Sequence, residues 1–364
     1  MITSSITSHD RRADLLRNAS IITWDEAPMT NKAVLACMEQ VCRSISNVDT
    51  PFGGKIVILL GDFRQTCPVV RKGSKADTIN ASIKRSPLWP LFRVATLTTP
   101  IRNASDPEYA SFLTDIGNGA GPELDLKFLP SVTTESELIS SVFPPHTLLT
   151  PGLCLTRAIL APTNKQVDHY NELIFSMIHD ESETYHVTDS LKEAEDAHLL
   201  PPIHVLDYFT NHPPAGLPPS QLHIKCGAVY RILRNLSLQR GLVKNTRVIV
   251  TGLGRRLITV RLLHETGPFG EDILLPRITF TASVPSGHTL LRKQFPLQLA
   301  YATTFHSCQG LTLARIGLDL TIPCFTHGQL YTALSRVRQR SDVTIKMPPL
   351  TTTTNNITYH ELLL

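Results

Sequence analysis

Two short apolar runs, each opening onto acidic residues, restrict this chain more than anything else in it. Residues 20–24 (SIITW) lead straight into Asp25 and Glu26, and residues 55–60 (KIVILL) lead into Gly61 and Asp62. Continuous apolar runs of that length suit parallel strands buried on both faces. Between them, residues 31–45 (NKAVLACMEQVCRSI) repeat their apolar positions at helical spacing until PFGG stops them. Helices are also expected over 10–18 and 106–119, and a further strand over 93–99 (RVATLTT). Strands alternating with helices predict an α/β sheet whose ligands collect at the carboxyl ends of its strands.

A second α/β unit opens at 154–178 (CLTRAILAPTNKQVDHYNELIFSMI), a strand, a turn and a long amphipathic helix. The texture then changes. Residues 201–220 hold six prolines, which reads as a connecting loop. From 221 to about 285, short β-rich pieces are separated by Gly and Asn turns, a pattern expected of a small inserted β-barrel. Strand and helix signals return at PLQLAYATTFHSCQG, LARIGLDL and GQLYTALSRVRQ.

Composition narrows the class further. The 35 basic and 31 acidic residues leave a formal charge of only +4, so any surface for an acidic polymer must be local. Seven cysteines occur without a CxxC pair, which argues against disulfide scaffolds and zinc ribbons and for a reducing compartment. No apolar run approaches the roughly 20 residues of a membrane span. The expectation is a soluble intracellular chain without a membrane partner.

The chemistry sits at the strand ends. Asp25 and Glu26 could hold a hydrated Mg²⁺ and polarise a water, or could simply be surface acids at a helix start. Gln65, at the end of the second run, could bond a terminal phosphate or its attacking water, or be an ordinary loop residue. Arg102 (LTTPIRN) and Arg336 (LYTALSRV) are of the type that clamps phosphoryl oxygens, and equally of the type that makes surface salt bridges. The hydroxyls and Gln-Gly turn of ATTFHSCQGLT suit phosphate oxygens of a nucleic-acid strand. His306 alone would more often be a core or solvated histidine.

Taken in order, WDEAPM, GDFRQTCPVV, LTTPIRN, TTFHSCQGLT and LYTALSRV resemble motifs II to VI of the petite-integration-frequency (Pif-type) DNA helicases, most of all the helicase portion of Helitron transposons. The resemblance runs through nearly the whole chain. It implies two RecA-like parallel-sheet domains, the first incomplete, with a β-barrel inserted in the second. The expected boundaries are 1–120 for the first, 121–200 with 287–364 for the second, and 201–286 for the barrel and its loop. The family couples ATP hydrolysis with Mg²⁺ to 5′-to-3′ movement on single-stranded DNA or at DNA junctions. For a nuclear protein that points to repair, recombination or transposition. Asp25 would bind the metal, Glu26 would be the catalytic base, Gln65 would sense the γ-phosphate, and Arg102 and Arg336 would be arginine fingers. Gly61, Asp62 and Gly310 would lie at the nucleotide. Thr304, His306 and Gln309 would link it to the DNA strand.

Two departures stand out. The family's fifth motif normally has a lysine where this chain has Ser307. Motif I, G-x-x-x-x-G-K-[ST], does not occur: the single Gly-Lys step, Gly54-Lys55, is followed by Ile56 and has Asp49 where the first glycine belongs. Its lack deprives the β- and γ-phosphates of their amide cradle and lysine. The expectation is therefore a helicase lineage truncated at its N-terminus and inactive alone. The alternative is a transposon-derived pseudohelicase that at most binds nucleic acid.

Overall fold

The computed structural model describes residues 2–70, 72–192, 217–283 and 289–364. The chain divides into two compact units. One comprises Met1–Thr134, Leu160–Pro162 and Thr304–Leu364, and the other Glu135–Ile159 and Thr163–Thr303. Most of the proline-rich stretch 201–220 lies outside the described residues.

The first unit begins with helix α1 (Arg11–Asn18), capped by Asp10, whose carboxylate accepts from Arg12 N–H. Strand β1 (Ile21–Trp24) and strand β2 (Ile56–Leu59) follow, pairing in parallel from Ile21–Ile56 to Trp24–Leu59. Helix α2 (Lys32–Ser46), capped by Asn31, makes the crossover between them. Because strand side chains alternate, one face of the pair sends Ile22, Trp24, Val57 and Leu59 against Leu35, Cys42 and Phe52. The other face leaves Ile21, Ile56, Ile58 and Leu60 exposed. The expectation of burial on both faces therefore fails here, since the described residues place a core on one side only. The strand expected over 93–99 does not form either. Val94 and Leu97 are exposed, Leu97 at 95%, and an extended run with no ladder partner leaves its backbone groups to water.

The same unit contains helices Lys75–Ala81 and Pro107–Asn118, the latter capped by Asp106, and the parallel strands Arg315–Asp319, Val343–Lys346 and Ser131–Val132. Helix Gln329–Leu334 is buried along its whole length. No helix among the described residues is long and apolar enough to cross a membrane.

The second unit holds helix Asn164–Ser176 and three antiparallel ladders. Five strands run in the order Gly267–Pro276, Leu257–His264, Arg247–Gly252, Val229–Ile232, Leu297–Leu299, with register shifts at Val250/Gly252 and Val260/Leu262. Three strands (Ile278–Ser283, Thr289–Gln294, Thr188–Lys192) and two (Ser182–His186, Gln221–Lys225) make the others. One core joins the five-stranded and two-stranded ladders through Tyr185, Leu222, Ile224, Tyr230, Val248, Val260, Phe295 and Leu297. The insert is antiparallel β, as its short apolar runs predict. It also draws strands from 182–192 and 289–299, outside the expected limits.

Candidate nucleotide-hydrolysis site

Glu26 occupies a backbone conformation that a side chain seldom adopts. Its φ of 52° and ψ of 35° lie in the left-handed region, where a non-glycine residue costs on the order of 1–3 kcal/mol. Several bonds over-determine it. Glu26 N–H donates to Asp25 Oδ1 at 2.9 Å, Ala27 N–H to Leu60 O at 2.9 Å, and Leu60 N–H to Trp24 O at 2.8 Å. Gly61 closes the arrangement from the β2 side: at φ 147°, a Cβ there would stand 2.2 Å from Pro28 Cδ. The two strand ends are thus stitched together, with both carboxylates at their carboxyl edge.

The Glu26 carboxylate is held from the far end of the sequence. Gln309 Nε2 donates to its Oε2 at 2.6 Å, and Thr66 Oγ donates to Gln309 Oε1 at 2.7 Å. Thr66 N–H in turn donates to Thr332 Oγ at 3.1 Å, so the chain of bonds ends on the helix that precedes Arg336. Gly310 lies alongside, where a Cβ would be 3.9 Å from Glu26 Oε1.

Two guanidiniums complete the site. Arg102, exposed to solvent, donates to Ser335 O at 2.7 Å and Thr312 Oγ at 3.2 Å. Arg336, 2% exposed, donates to Thr332 O at 2.8 Å and Ser335 Oγ at 2.7 Å. Neither meets a carboxylate in an ion pair among the described residues. Burial first, and then the like charge of Arg336, lower the Arg102 pKa from its usual value, with Glu26 among the groups pulling the other way. Arg336, a buried cation compensated only by neutral oxygens, is costly in isolation, and an anion relieves that cost.

Gln65 follows in the loop beyond β2, and its side-chain oxygen is buried without a hydrogen-bond partner. Asp62 is occupied internally: it accepts from Arg64 N–H at 2.9 Å, from Arg64 Nε at 3.0 Å and from Tyr331 OH at 2.7 Å. Thr304 and His306 stand apart from the carboxylates. Thr304 Oγ donates to Ser307 Oγ at 2.9 Å and accepts Ser307 N–H, closing a local turn, and His306 is mostly buried, which lowers its pKa. Cys308 is fully buried with its thiol pushed up to about 12, unsuited to act as a nucleophile. Reading the sequence singles out neither Thr66 nor Tyr331 nor His327. Thr66 and Tyr331 lie inside recognisable motifs and His327 just before one, but only the folded chain shows what they touch.

A family described as "PIF1-like helicase" matches residues 1–125, and one described as "DNA helicase Pif1, 2B domain" matches residues 213–253. Among curated proteins, the ATP-dependent DNA helicase PIF1 of Homo sapiens is 30% identical over 326 residues, 88% of this chain. The chain belongs to the PIF1-like helicase family. The Pif1 helicase of Bdellovibrio bacteriovorus is 28% identical over 91% of the chain and 67% of its own length. Against the Homo sapiens relative the chain spans 45% of the length, less than half. Among solved structures, Bacteroides Pif1 bound to ssDNA superposes with a TM-score of 0.68 at 22% identity, covering 95% of this chain and 74% of its own. Candida albicans Pif1 gives 0.65 at 21%, covering 98% and 78%. The fold is that of Pif1 helicases, an α/β architecture with parallel-sheet content.

Proposed function

We propose that this chain carries the hydrolytic side of an ATP-driven motor that moves 5′ to 3′ along single-stranded DNA, serving repair, recombination or transposition in the nucleus. One observation carries the reading: a strained glutamate held by Gln309, beside two guanidiniums with no carboxylate of their own. Phosphoryl transfer to water needs a positioned base and concentrated positive charge, and little covalent chemistry from the protein. Glu26, engaged by Gln309 only at Oε2, keeps Oε1 to take a proton from the attacking water. Arg102 and Arg336 would receive the charge developing on the terminal phosphate. The unpartnered Oε1 of Gln65 suits that water as a donor, because a buried acceptor without a partner calls for one, while its Nε2 could donate to a phosphate oxygen.

The donor set also fits Mg²⁺. Asp25 is exposed at the end of β1 with only Oδ1 engaged, and Mg²⁺ keeps most of its waters while taking one or two carboxylates. When bound, the ion neutralises charge on the β- and γ-phosphates. Within this reading, residues 1–120 form the first RecA-like domain, 121–200 with 287–364 the second, and 201–286 the insert.

DNA as the track is supported by charge segregation. Residues 221–264 contain nine Lys and Arg and no Asp or Glu, in a chain whose formal charge is +4. Arg234, Arg240, Lys244, Arg255 and Arg256 are exposed there. The solved Bacteroides Pif1 neighbours include complexes with single-stranded DNA and with ADP-AlF3. Thr304 and His306 belong to the segment that also presents Gln309, so contact with a strand there would reach Glu26 through one side chain. DNA-stimulated phosphate release by a chain carrying a Walker A segment upstream of Met1 is the test. Glu26→Gln, Arg102→Ala and Arg336→Ala should each lower kcat by about 10²-fold or more with single-stranded DNA binding retained. Unchanged turnover in Glu26→Gln would remove the reading.

A further inference from the structure

The loop carrying Gln65 is gripped by residues that the hydrolysis itself does not use. His327 is fully buried, and its ring bridges two backbones: Nε2 donates to Phe63 O at 2.8 Å, while Nδ1 accepts Tyr359 N–H at 2.8 Å. The bond at Nδ1 fixes the tautomer, since a nitrogen that accepts from an N–H carries no proton itself. Tyr359 also stacks on the imidazole, ring centroids 5.2 Å apart and planes 25° from parallel. The next residue, Gly328, donates its N–H to Ile357 O at 3.0 Å and lies so close to the loop that a Cβ would be 2.5 Å from Arg64 O.

Residues 357–364 are themselves tied down around the same loop. Leu362 is fully buried in a cluster with Cys67 and Ile79, Glu361 pairs with Lys75 at 3.0 Å, and Lys84 donates to Leu364 O at 2.6 Å. Lys84 also lies over the Phe63 ring, 4.5 Å from its centroid. Phe63 and Cys67 bracket Gln65, so the tail and the ring hold the sensor loop from both ends.

We infer that His327 is a positioning residue: it couples residues 357–364 to the Phe63–Thr66 loop and so holds the Gln65 amide in register with Glu26. This rests on the reading of Gln65 as the group that senses the terminal phosphate. A ring that merely filled space would need only its volume. The observed ring uses both nitrogens, on two segments far apart in sequence, one of which carries the candidate sensor.

Hydrogen exchange of the intact 364-residue chain tests the coupling without nucleotide. The amides of Gln65, bonded to Asp62 O, and of Thr66, bonded to Thr332 Oγ, are the reporters. His327→Asn keeps an acceptor for Tyr359 N–H but reaches no donor to Phe63 O, and should speed exchange at both reporters about tenfold. His327→Gln restores that donor but not the acceptor for Tyr359 N–H, and should recover the reporters only in part. Tyr359→Ala, which leaves the loop's own bonds untouched, should speed the reporters in the parent and add nothing in the His327→Asn background. Reporters indifferent to Tyr359→Ala, or effects that simply add, would overturn the coupling. Where Asn disrupts the fold, the Tyr359→Ala and His327→Gln arms decide it alone. The sensor reading fails separately, if loosening the loop leaves Glu26-dependent turnover unchanged in a hydrolysing form of the chain.

Discussion

Single residues in this site bear costs that only a fixed arrangement of neighbours can offset. Gly61 and Gly328 show it most directly, because each lets one segment approach another more closely than a side chain allows. Gly328→Ala would set a Cβ 2.5 Å from a backbone oxygen at a φ of 69° and should destabilise the chain by about 2–4 kcal/mol, read from the midpoint of urea unfolding. A wild-type midpoint in that variant would mean that the Arg64–Gln65 peptide moves freely. Protonation gives a second prediction. Burial first lowers the pKa of His327 below its ordinary 6.5, with His360 acting in the same direction and the Phe63 carbonyl, Asp62 and Glu361 opposing it; His306 is lowered by burial alone. Both folded-state values lie below the unfolded one, so between them the unfolded chain binds more protons. Stability is then complete above about pH 6.5 and falls as the pH drops below it. Unfolding midpoints measured from pH 8 to pH 5 should decline toward acid, and less steeply in His327→Gln. Neither feature can be read from the sequence, where His327 and Gly328 are two letters at the start of a helix-like run. Glu26 and Gln309, 283 residues apart, likewise meet only in the folded chain.

At the scale of elements, β1, β2 and α2 are legible because apolar spacing and flanking breakers record them directly. Their surroundings are not legible in the same way. Apolar runs imply cover on both faces, whereas Ile21, Ile56, Ile58 and Leu60 face outward. The two faces should respond oppositely to charge. Ile58→Asp should cost less than about 0.5 kcal/mol, as exposed substitutions do, and should reduce self-association seen by light scattering. Val57→Asp, one residue away on the packed face, should abolish cooperative unfolding. Equal responses would show the exposed face to be covered in solution. The antiparallel insert makes its own prediction through its charge. Arg255 and Arg256 lie exposed in the turn between Arg247–Gly252 and Leu257–His264. If both touch phosphates, replacing the pair with alanine should lower the slope of log affinity for single-stranded DNA against log salt by about 1.4, near 0.7 per contact. An unchanged slope would remove this turn from the DNA path.

For the molecule as a whole, the question is what a PIF1-like chain can do with the residues it has. On the proposed reading it supplies a base, a sensor, two cations and a metal carboxylate, which together would position water and stabilise developing charge. It supplies no G-x-x-x-x-G-K-[ST] loop, and therefore neither the amide cradle nor the lysine that grips the β- and γ-phosphates. Losing one well-placed donor to a developing charge costs about 10²–10³ in rate, and here several are lacking together with a full positive charge. Positioning suffers as well, because a terminal phosphate not held against Arg102 and Arg336 seldom presents itself in line with a water at Glu26. Affinity for DNA is built differently, from many phosphate contacts that add up, so it does not depend on that loop. The 364-residue polypeptide should accordingly bind single-stranded DNA in a salt-sensitive manner yet release no phosphate above the Glu26→Gln background. The same sequence joined to an upstream Walker A segment should regain Glu26-dependent, DNA-stimulated turnover. Turnover by the short chain that disappears in Glu26→Gln would show that the arginines and Asp25 hold the nucleotide unaided. Failure of the extended chain, with DNA binding intact, would favour the inactive relic.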